Sequence, residues 1–201
     1  MADENVFAIG ASMPGHYGLV TTGVTLTETT FSGAWNVQGD ARRPDFVDAL
    51  RQLFDLALPV VPNTTMRTQT LTALWLGPAS WLLVAAGETA RDDLDSRRDA
   101  LNAAGGALFD VTASRVAWTV AGTHAATVLA KSCPLDFHPR AFAEGACAQS
   151  LFGHMNALVY RRAVGPVFTL MVARSLARDA WLTLCKSAAP YGYDVLPTRF
   201  F

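Results

Sequence analysis

Residues 72–87 read TALWLGPASWLLVAAG. They lie in an uncharged run from Thr68 to Gly87, closed by Arg67 on one side and Glu88 on the other. A helix crossing a bilayer needs about 20 predominantly apolar residues, so by length alone the run could pass for one. Its composition argues against that. Gly77-Pro78 falls at the centre, and Thr68, Gln69, Thr70, Thr72 and Ser80 thin out the apolar content. A proline in mid-helix removes a hydrogen bond and clashes with the preceding turn. Two short apolar runs joined by Gly-Pro read instead as strand, turn, strand. No membrane segment is expected.

The same unit recurs downstream. A helix is predicted from about Ala90 to Ala104, with Thr89 and Asp92 at capping-box spacing and Gly105-Gly106 as the stop. Ala90, Leu94, Leu101 and Ala104 share one face of it. ALFDVT and ASRVAWTVAG, residues 107–122, then read as two strands, with Val116, Trp118 and Val120 alternating with Ala117, Thr119 and Ala121. Thr123 is placed to cap a short helix running to Lys131. The third unit is CAQSLFGHMNALVYRR with FTLMVARS, followed by a helix over Leu176–Ala188. Ser175 is its expected cap, and Leu176, Ala180, Leu184 and Ala188 face inward.

Upstream, residues 44–58 form the first helix candidate. Pro44 suits a first turn, Phe46, Leu50, Leu53, Phe54 and Ala57 share a face, and Pro59 and Pro62 end it. Residues 1–43 are rich in Thr, Gly and Ser and show no helical period. They are read as an extended N-terminal arm, with a poorly ordered terminus plus one or two edge strands as the competing reading. The expected organisation is an arm over 1–43 and one α+β domain over 44–201, with helices packed on a mostly antiparallel sheet.

Composition narrows the function classes. Of 201 residues, 51% are apolar and only 16% charged, with a net charge of −1. That surface is poor in charge for a free-standing soluble chain, so much of it is expected to be covered by other subunits. Near-neutral charge gives no reason to propose a nucleic acid partner. The start, MADENVF, has no basic and apolar leader pattern, so a cytoplasmic location is expected. Cys133, Cys147 and Cys185, an odd number at irregular spacing, are expected to be free thiols.

The densest group of reactive residues is KSCPLDFHPRAFAEGACAQS, Lys131–Ser150. Structural zinc takes four nitrogen or sulfur ligands, usually including a close cysteine pair. Here Cys133, His138 and Cys147 give three ligands and no such pair. A Cys133–His138 nucleophile would need an orienting third group, and none is evident. Free cysteine behaves more often as a small buried hydrophobe. Pro134 and Pro139 punctuate turns, and Asp136 can bond the local backbone or His138. The stretch is therefore read as a rigid loop, either self-supporting or built to dock on another chain with Arg140 reaching a partner carboxylate. His124 reads as a surface or capping residue, His154 as a strand histidine, and His16 supports no specific role. No dinucleotide fingerprint, Walker loop, HExxH or GxSxG occurs. The five tryptophans read as core.

The run Cys133-Pro134-Leu135-Asp136-Phe137-His138-Pro139 resembles the signature of the gamma subunit of heterotetrameric sarcosine oxidase. LPVVPNTT and ALWLGPASWLLVA resemble earlier segments of that subunit in the same order, and the likeness extends from about Leu58 to Ala188. The resemblance implies an enzyme of alpha, beta, gamma and delta subunits. That enzyme oxidises sarcosine to glycine, with hydrogen peroxide as co-product and the methyl carbon leaving as formaldehyde or methylenetetrahydrofolate. FAD, NAD, covalent FMN and tetrahydrofolate are implied on the larger subunits, and zinc on the smallest. The gamma subunit is in turn similar to the folate-binding domain of the glycine-cleavage T-protein, whose strand–strand–helix pattern ALFDVTASRVAWTVAGTHAATVLA fits.

One departure bears on chemistry. The T-protein family has a carboxylate after the strand matching SLFGHMNALVYRR, where this chain has Met155, Asn156, Ala157 and Leu158, with no acid from Ala146 to Arg162. Methylene transfer from folate needs an acid–base group beside the reacting amine. The expectation is a non-catalytic gamma subunit with no catalytic, cofactor-binding or metal-binding residue of its own. It would assemble chiefly with alpha, alongside beta and delta. The alternatives are a stand-alone folate-binding or aminomethyltransferase-like protein, or a scaffold for another amine-oxidising complex.

Overall fold

A computed structural model describes residues 13–19, 21–85, 94–162 and 165–201. In chain order the elements are β1 (Gly15–Tyr17), β2 (Val24–Thr30), β3 (Ala34–Gln38), α1 (Pro44–Phe54), β4 (Thr65–Arg67), β5 (Leu71–Gly77) and β6 (Ser80–Ala85). There follow α2 (Leu94–Ala103), β7 (Ala107–Asp110), β8 (Arg115–Ala121), α3 (Ala125–Ala130), β9 (Cys147–Phe152) and β10 (Met155–Arg161). Last come β11 (Val167–Ala173), α4 (Ala177–Ala188) and β12 (Tyr193–Phe200).

The predicted Gly-Pro turn is in place, with β5 and β6 pairing antiparallel across it. The strands form two sheets. The larger has the order β1-β12-β2-β8-β11-β10-β9, the smaller β4-β5-β6-β3-β7. All pairings are antiparallel except β12 with β2. The fold is α+β, as the pattern predicts, but with two sheets.

Burial orders these parts into four layers. Ala34, Leu74, Leu82 and Val84 of the smaller sheet meet Ala117, Cys147, Leu158, Tyr160 and Met171 of the larger in one apolar seam. The outer face of the larger sheet packs Trp118, Val120, Leu170 and Val172 against Val128 and Leu129 of α3 and Trp181 and Leu184 of α4. The outer face of the smaller sheet packs Trp35, Val37, Trp81 and Leu83 against Phe46, Leu50 and Phe54 of α1 and Leu101 of α2. Helix, sheet, sheet, helix is the arrangement in which every amphipathic element finds a partner.

Several local expectations need correction. Residues 24–38, assigned to an arm, contribute β2 inside the larger sheet and β3 inside the smaller, with Val24, Leu26, Ala34 and Val37 fully buried. Thr-rich strands hide their apolar alternation because buried threonines replace aliphatics; Thr29 bonds the hydroxyl of Thr119 across the sheet at 3.0 Å. The second predicted unit is not a hairpin. β7 pairs with β3 and β8 with β2 and β11, so the chain changes sheets at Val111–Ser114. Thr112 pins that crossing, its hydroxyl accepting from Ala34 N at 2.9 Å.

Neither Thr123 nor Ser175 caps a helix. His124 precedes α3 and Leu176 precedes α4, each without a side-chain cap bond. A 3-10 turn over Arg174–Leu176 leads into α4 and moves its start past Ser175. α1 stops at Phe54 because Asp55 adopts a left-handed conformation, φ 47°. The Thr89–Asp92 capping box, Ala90 and residues 1–12 of the arm lie outside the described residues. β12 has no counterpart in the sequence reading.

Candidate functional site

Of the stretch Lys131–Ser150, residues 131–146 are a loop folded on its own polar groups, and Cys147–Ser150 begin β9. Asp136 Oδ1 accepts the His138 N–H at 2.9 Å, and His138 Nδ1 accepts the Arg140 N–H at 3.2 Å. The His138 carbonyl accepts from both Ala141 and Phe142 N–H, 2.9 Å each. Pro134, Asp136, His138, Pro139 and Arg140 are exposed, while Phe137 and Phe142 turn inward. Those two rings and Phe168 of β11 form a cluster with Phe137–Phe168 centroids 5.4 Å apart, edge to face. Edge-to-face rings at this separation add to what their burial contributes. The loop is thus held from below by apolar burial and from above by local hydrogen bonds.

Its ends are tied to distant elements. Lys131 Nζ donates to the Ser187 carbonyl near the end of α4 at 2.9 Å and lies 4.5 Å from the Tyr191 ring centroid. A lysine there satisfies a terminal carbonyl and the negative helix end together. Arg161, buried in β10, donates Nη1–H to the Phe142 carbonyl at 2.6 Å. Its backbone closes the loop's exit through Gly145 N to Arg161 O and Arg161 N to Ala146 O. Sequence reading passed over Arg161 as a strand end; a double arginine closing an apolar strand is the signal that could have found it.

The loop's cysteines do not converge on its histidine. Cys133 packs in the core beneath the larger sheet. Cys147 belongs to the seam between the sheets, its thiol donating to the Thr64 carbonyl at 3.4 Å and the Trp75 carbonyl at 3.5 Å. Burial pushes the Cys147 thiol up to about 11. A thiol near 11 is about one part in a thousand thiolate at pH 8, and the thiolate is the reactive form. Cys147 is therefore expected to resist iodoacetamide at pH 8 in the folded chain and to react at the rate of a free cysteine in denaturant. Mass spectrometry of timed alkylation checks this; labelling of folded Cys147 as fast as free cysteine would contradict it. All three cysteines are free.

The remaining histidines take structural roles. His154 lies in the two-residue turn Gly153-His154 between β9 and β10, not in a strand. Gly153, at φ 61°, supplies the first central position of a II′-type hairpin turn. The His124 ring stacks on Tyr191 at 4.6 Å. His16 Nδ1 sits 2.6 Å from Asp194 Oδ1, tying β1 to β12, and that bond raises the His16 pKa. Among the described residues no cluster of three or more His, Cys, Asp or Glu is placed to hold a metal ion.

Two cavities lie away from the loop. One, about 430 Å³, is lined by Glu28, Thr29, Thr112, Arg115, Arg174 and Phe200. Burial raises the Glu28 carboxyl, and Arg174 pulls the other way. Arg174 is itself held by the Ala113 carbonyl at 2.7 Å. Glu28 is a half-buried carboxyl facing this cavity, and the sequence reading did not single it out. The other cavity, about 700 Å³, lies between Trp75, Trp81, Pro78 and the exposed Val60. Asp40 at its rim is held down to about 2 by Arg42. Val60 and Val61 are 66% and 61% exposed, so an apolar shelf stands open beside a neutralised ion pair.

Among the described residues, four layers built from two mostly antiparallel sheets and four helices define the class: a T-protein-like α+β fold. Glycine cleavage system aminomethyltransferase T from Bartonella henselae superposes with a TM-score of 0.56 at 14% identity, over 89% of this chain and 48% of that one. The sarcosine oxidase, gamma subunit family matches residues 38–190, and the chain belongs to that family. Sarcosine oxidase subunit gamma of Corynebacterium sp. (strain U-96) is 38% identical over 88 residues, and that of Arthrobacter sp. is 35% identical over 89. Each match spans 44% of this chain and 42% of the relative, less than half of either length. A chain of the heterotetrameric sarcosine oxidase from Corynebacterium sp. U-96 superposes more fully, with a TM-score of 0.78, 25% identity, and coverage of 87% of this chain and 88% of that one.

Proposed function

We propose that this chain is the gamma subunit of a heterotetrameric sarcosine oxidase and that it contributes shape and contact, not a reacting group. The alpha subunit is its chief partner, with beta and delta in the same assembly. The whole oxidises sarcosine to glycine in the cytoplasm. FAD, FMN, NAD, tetrahydrofolate and zinc belong on the other subunits. The observation that carries this reading is the superposition along nearly the full length of a chain from such an oxidase. The open shelf at Val60–Val61 supports it, since contiguous exposed apolar surface commonly marks an interface. So does the β9–β10 hairpin, where no carboxylate occurs between Ala146 and Arg162. No helix among the described residues is long and apolar enough to cross a membrane.

The test is co-expression of a tagged chain with its alpha, beta and delta subunits. Stoichiometric capture of alpha is expected. The chain expressed alone is expected to be colourless, to bind hydrophobic dye, and to retain no tetrahydrofolate on equilibrium dialysis. A stable, dye-silent monomer that binds tetrahydrofolate one to one and captures no alpha would favour a stand-alone folate-binding protein instead.

A further inference from the structure

The larger sheet extends past the smaller one and leaves part of its inner face uncovered. In β8, β11, β10 and β9 the side chains of Ala117, Met171, Leu158 and Cys147 enter the seam between the sheets. Side chains on a strand alternate between faces, so residues two positions away share that face. One step outward this gives Arg115, Ala173, Asn156 and, through Gln149, Leu151. Arg115 stands opposite Ala173 and Asn156 opposite Leu151. Val172 opposite Ala157 brings Ala173 beside Asn156. The four form a single cross-strand row. The smaller sheet meets β9 at Leu76, whose carbonyl accepts from Gln149 Nε2 at 2.7 Å. Beyond it Ala173 and Asn156 are exposed, Leu151 is 45% exposed, and a groove of about 640 Å³ runs along the row.

The row carries one charge. The Arg115 guanidinium is half-buried and lines both this groove and the Glu28 cavity. Burial disfavours its charged form. Among the described residues no carboxylate lies within ion-pair distance of it, and the electrostatic partner of Glu28 is Arg174. A half-buried guanidinium without a counter-charge is unfavourable, and its planar fork matches a carboxylate in bidentate fashion.

We infer that this row seats a segment of a partner subunit that places an Asp or Glu carboxylate against Arg115 and an apolar side chain against Leu151. The inference rests on the assembly reading above and names one of its contact points. A second copy of this chain fits less well. A two-fold pairing puts the same patch on both sides, and the row has no acid to offer its own arginine. A free small carboxylate fits less well too. Ligand sites enclose most of the ligand, whereas an open sheet face with one cation encloses little.

The test uses the co-expressed complex with Arg115→Ala, Arg115→Glu and Arg115→Lys. Capture of the alpha subunit by the tagged chain is measured at rising salt, and each isolated variant is melted to check its fold. Arg115→Ala is expected to weaken capture about thirtyfold or more, the range for truncating one member of a desolvated charge pair. Arg115→Glu weakens it further, and Arg115→Lys keeps most of it. Melting temperatures of the isolated variants stay at or above that of the parent chain. Capture unchanged in both Arg115→Ala and Arg115→Glu would overturn the inference while leaving the assembly reading standing. Failure of the parent chain to capture any subunit would remove both. Two further results would replace the occupant and so overturn it. One is a succinate-dependent rise in melting temperature abolished by Arg115→Ala. The other is a concentration-dependent dimer of the isolated chain that the same substitution dissolves.

Discussion

Trp81→Ala is expected to lower stability by about 3–5 kcal/mol, the range for emptying a large buried aromatic site. Trp81 is 1% exposed and lies in the core between the smaller sheet and α1, 6.2 Å from the Phe46 ring. Its indole N–H donates to the Pro59 carbonyl at 2.8 Å. One side chain therefore fills the core and fixes the segment that carries Val60 and Val61. In a chain of this size each kcal/mol moves the melting temperature by about 2–4 °C. Trp81→Phe separates the two roles. It keeps most of the packing and leaves the buried Pro59 carbonyl without its donor, a loss of about 1–3 kcal/mol. Thermal melts of the two variants check this. Equal losses would mean that the hydrogen bond, not the packing, dominates.

Gly192→Ala is the second large effect. Gly192 has φ 64° and ψ 137°, a conformation that residues with a side chain avoid. A Cβ there would meet the Thr21 carbonyl oxygen at 2.0 Å and the Leu19 carbonyl oxygen at 2.6 Å. Both obstacles are backbone, so neither can swing aside. Gly192 also anchors the start of β12 by accepting from Gly23 N at 3.0 Å. Backbone strain of about 1–3 kcal/mol, added to the clash, is expected to cost at least about 3 kcal/mol. Gly77→Ala is the control: nothing lies within 4 Å of its Cβ position, and the change is expected to stay within about 1 kcal/mol. Chemical denaturation of both variants reads the difference directly. Comparable stabilities would show that the Leu19 and Thr21 carbonyls can move away from Gly192.

What the sequence reveals follows how strongly each segment is patterned. β5, β6, β8 and β10 announce themselves by continuous or alternating apolar residues, and α1 and α4 by their apolar faces. β12 does not. Its sequence, YDVLPTRF, has a proline and two charges, and its parallel pairing with β2 rests on backbone bonds with Leu196–Arg199 out of register. Short-range pattern says nothing of such a long-range pairing. The arm reading of residues 24–38 failed for a related reason, since threonine in a buried strand looks like a loop residue until its hydroxyl partner is known. The two-sheet split was hidden because Thr112, which anchors the crossing, bonds to Ala34 far away in sequence.

The loop was legible in its parts. Asp136 and His138 bond the local backbone, as their spacing between two prolines predicts. Arg161, Glu28 and Arg115 were not legible. Each matters through burial and through neighbours on other strands, which a single sequence does not display.

The proposed role of this chain is to support sarcosine oxidation by contact, with no reacting group of its own. The direct measurement is kcat and kcat/KM for sarcosine in the purified complex carrying Cys133→Ser, His138→Ala or Glu28→Gln, with subunit ratios confirmed by size exclusion. Removing a catalytic group commonly costs several orders of magnitude in rate, whereas a supporting residue in an intact assembly costs little. All three variants are expected within about threefold of the parent complex. A fall of about a hundredfold or more in any one of them, in a fully assembled complex, would place a reacting group in this chain and contradict the account.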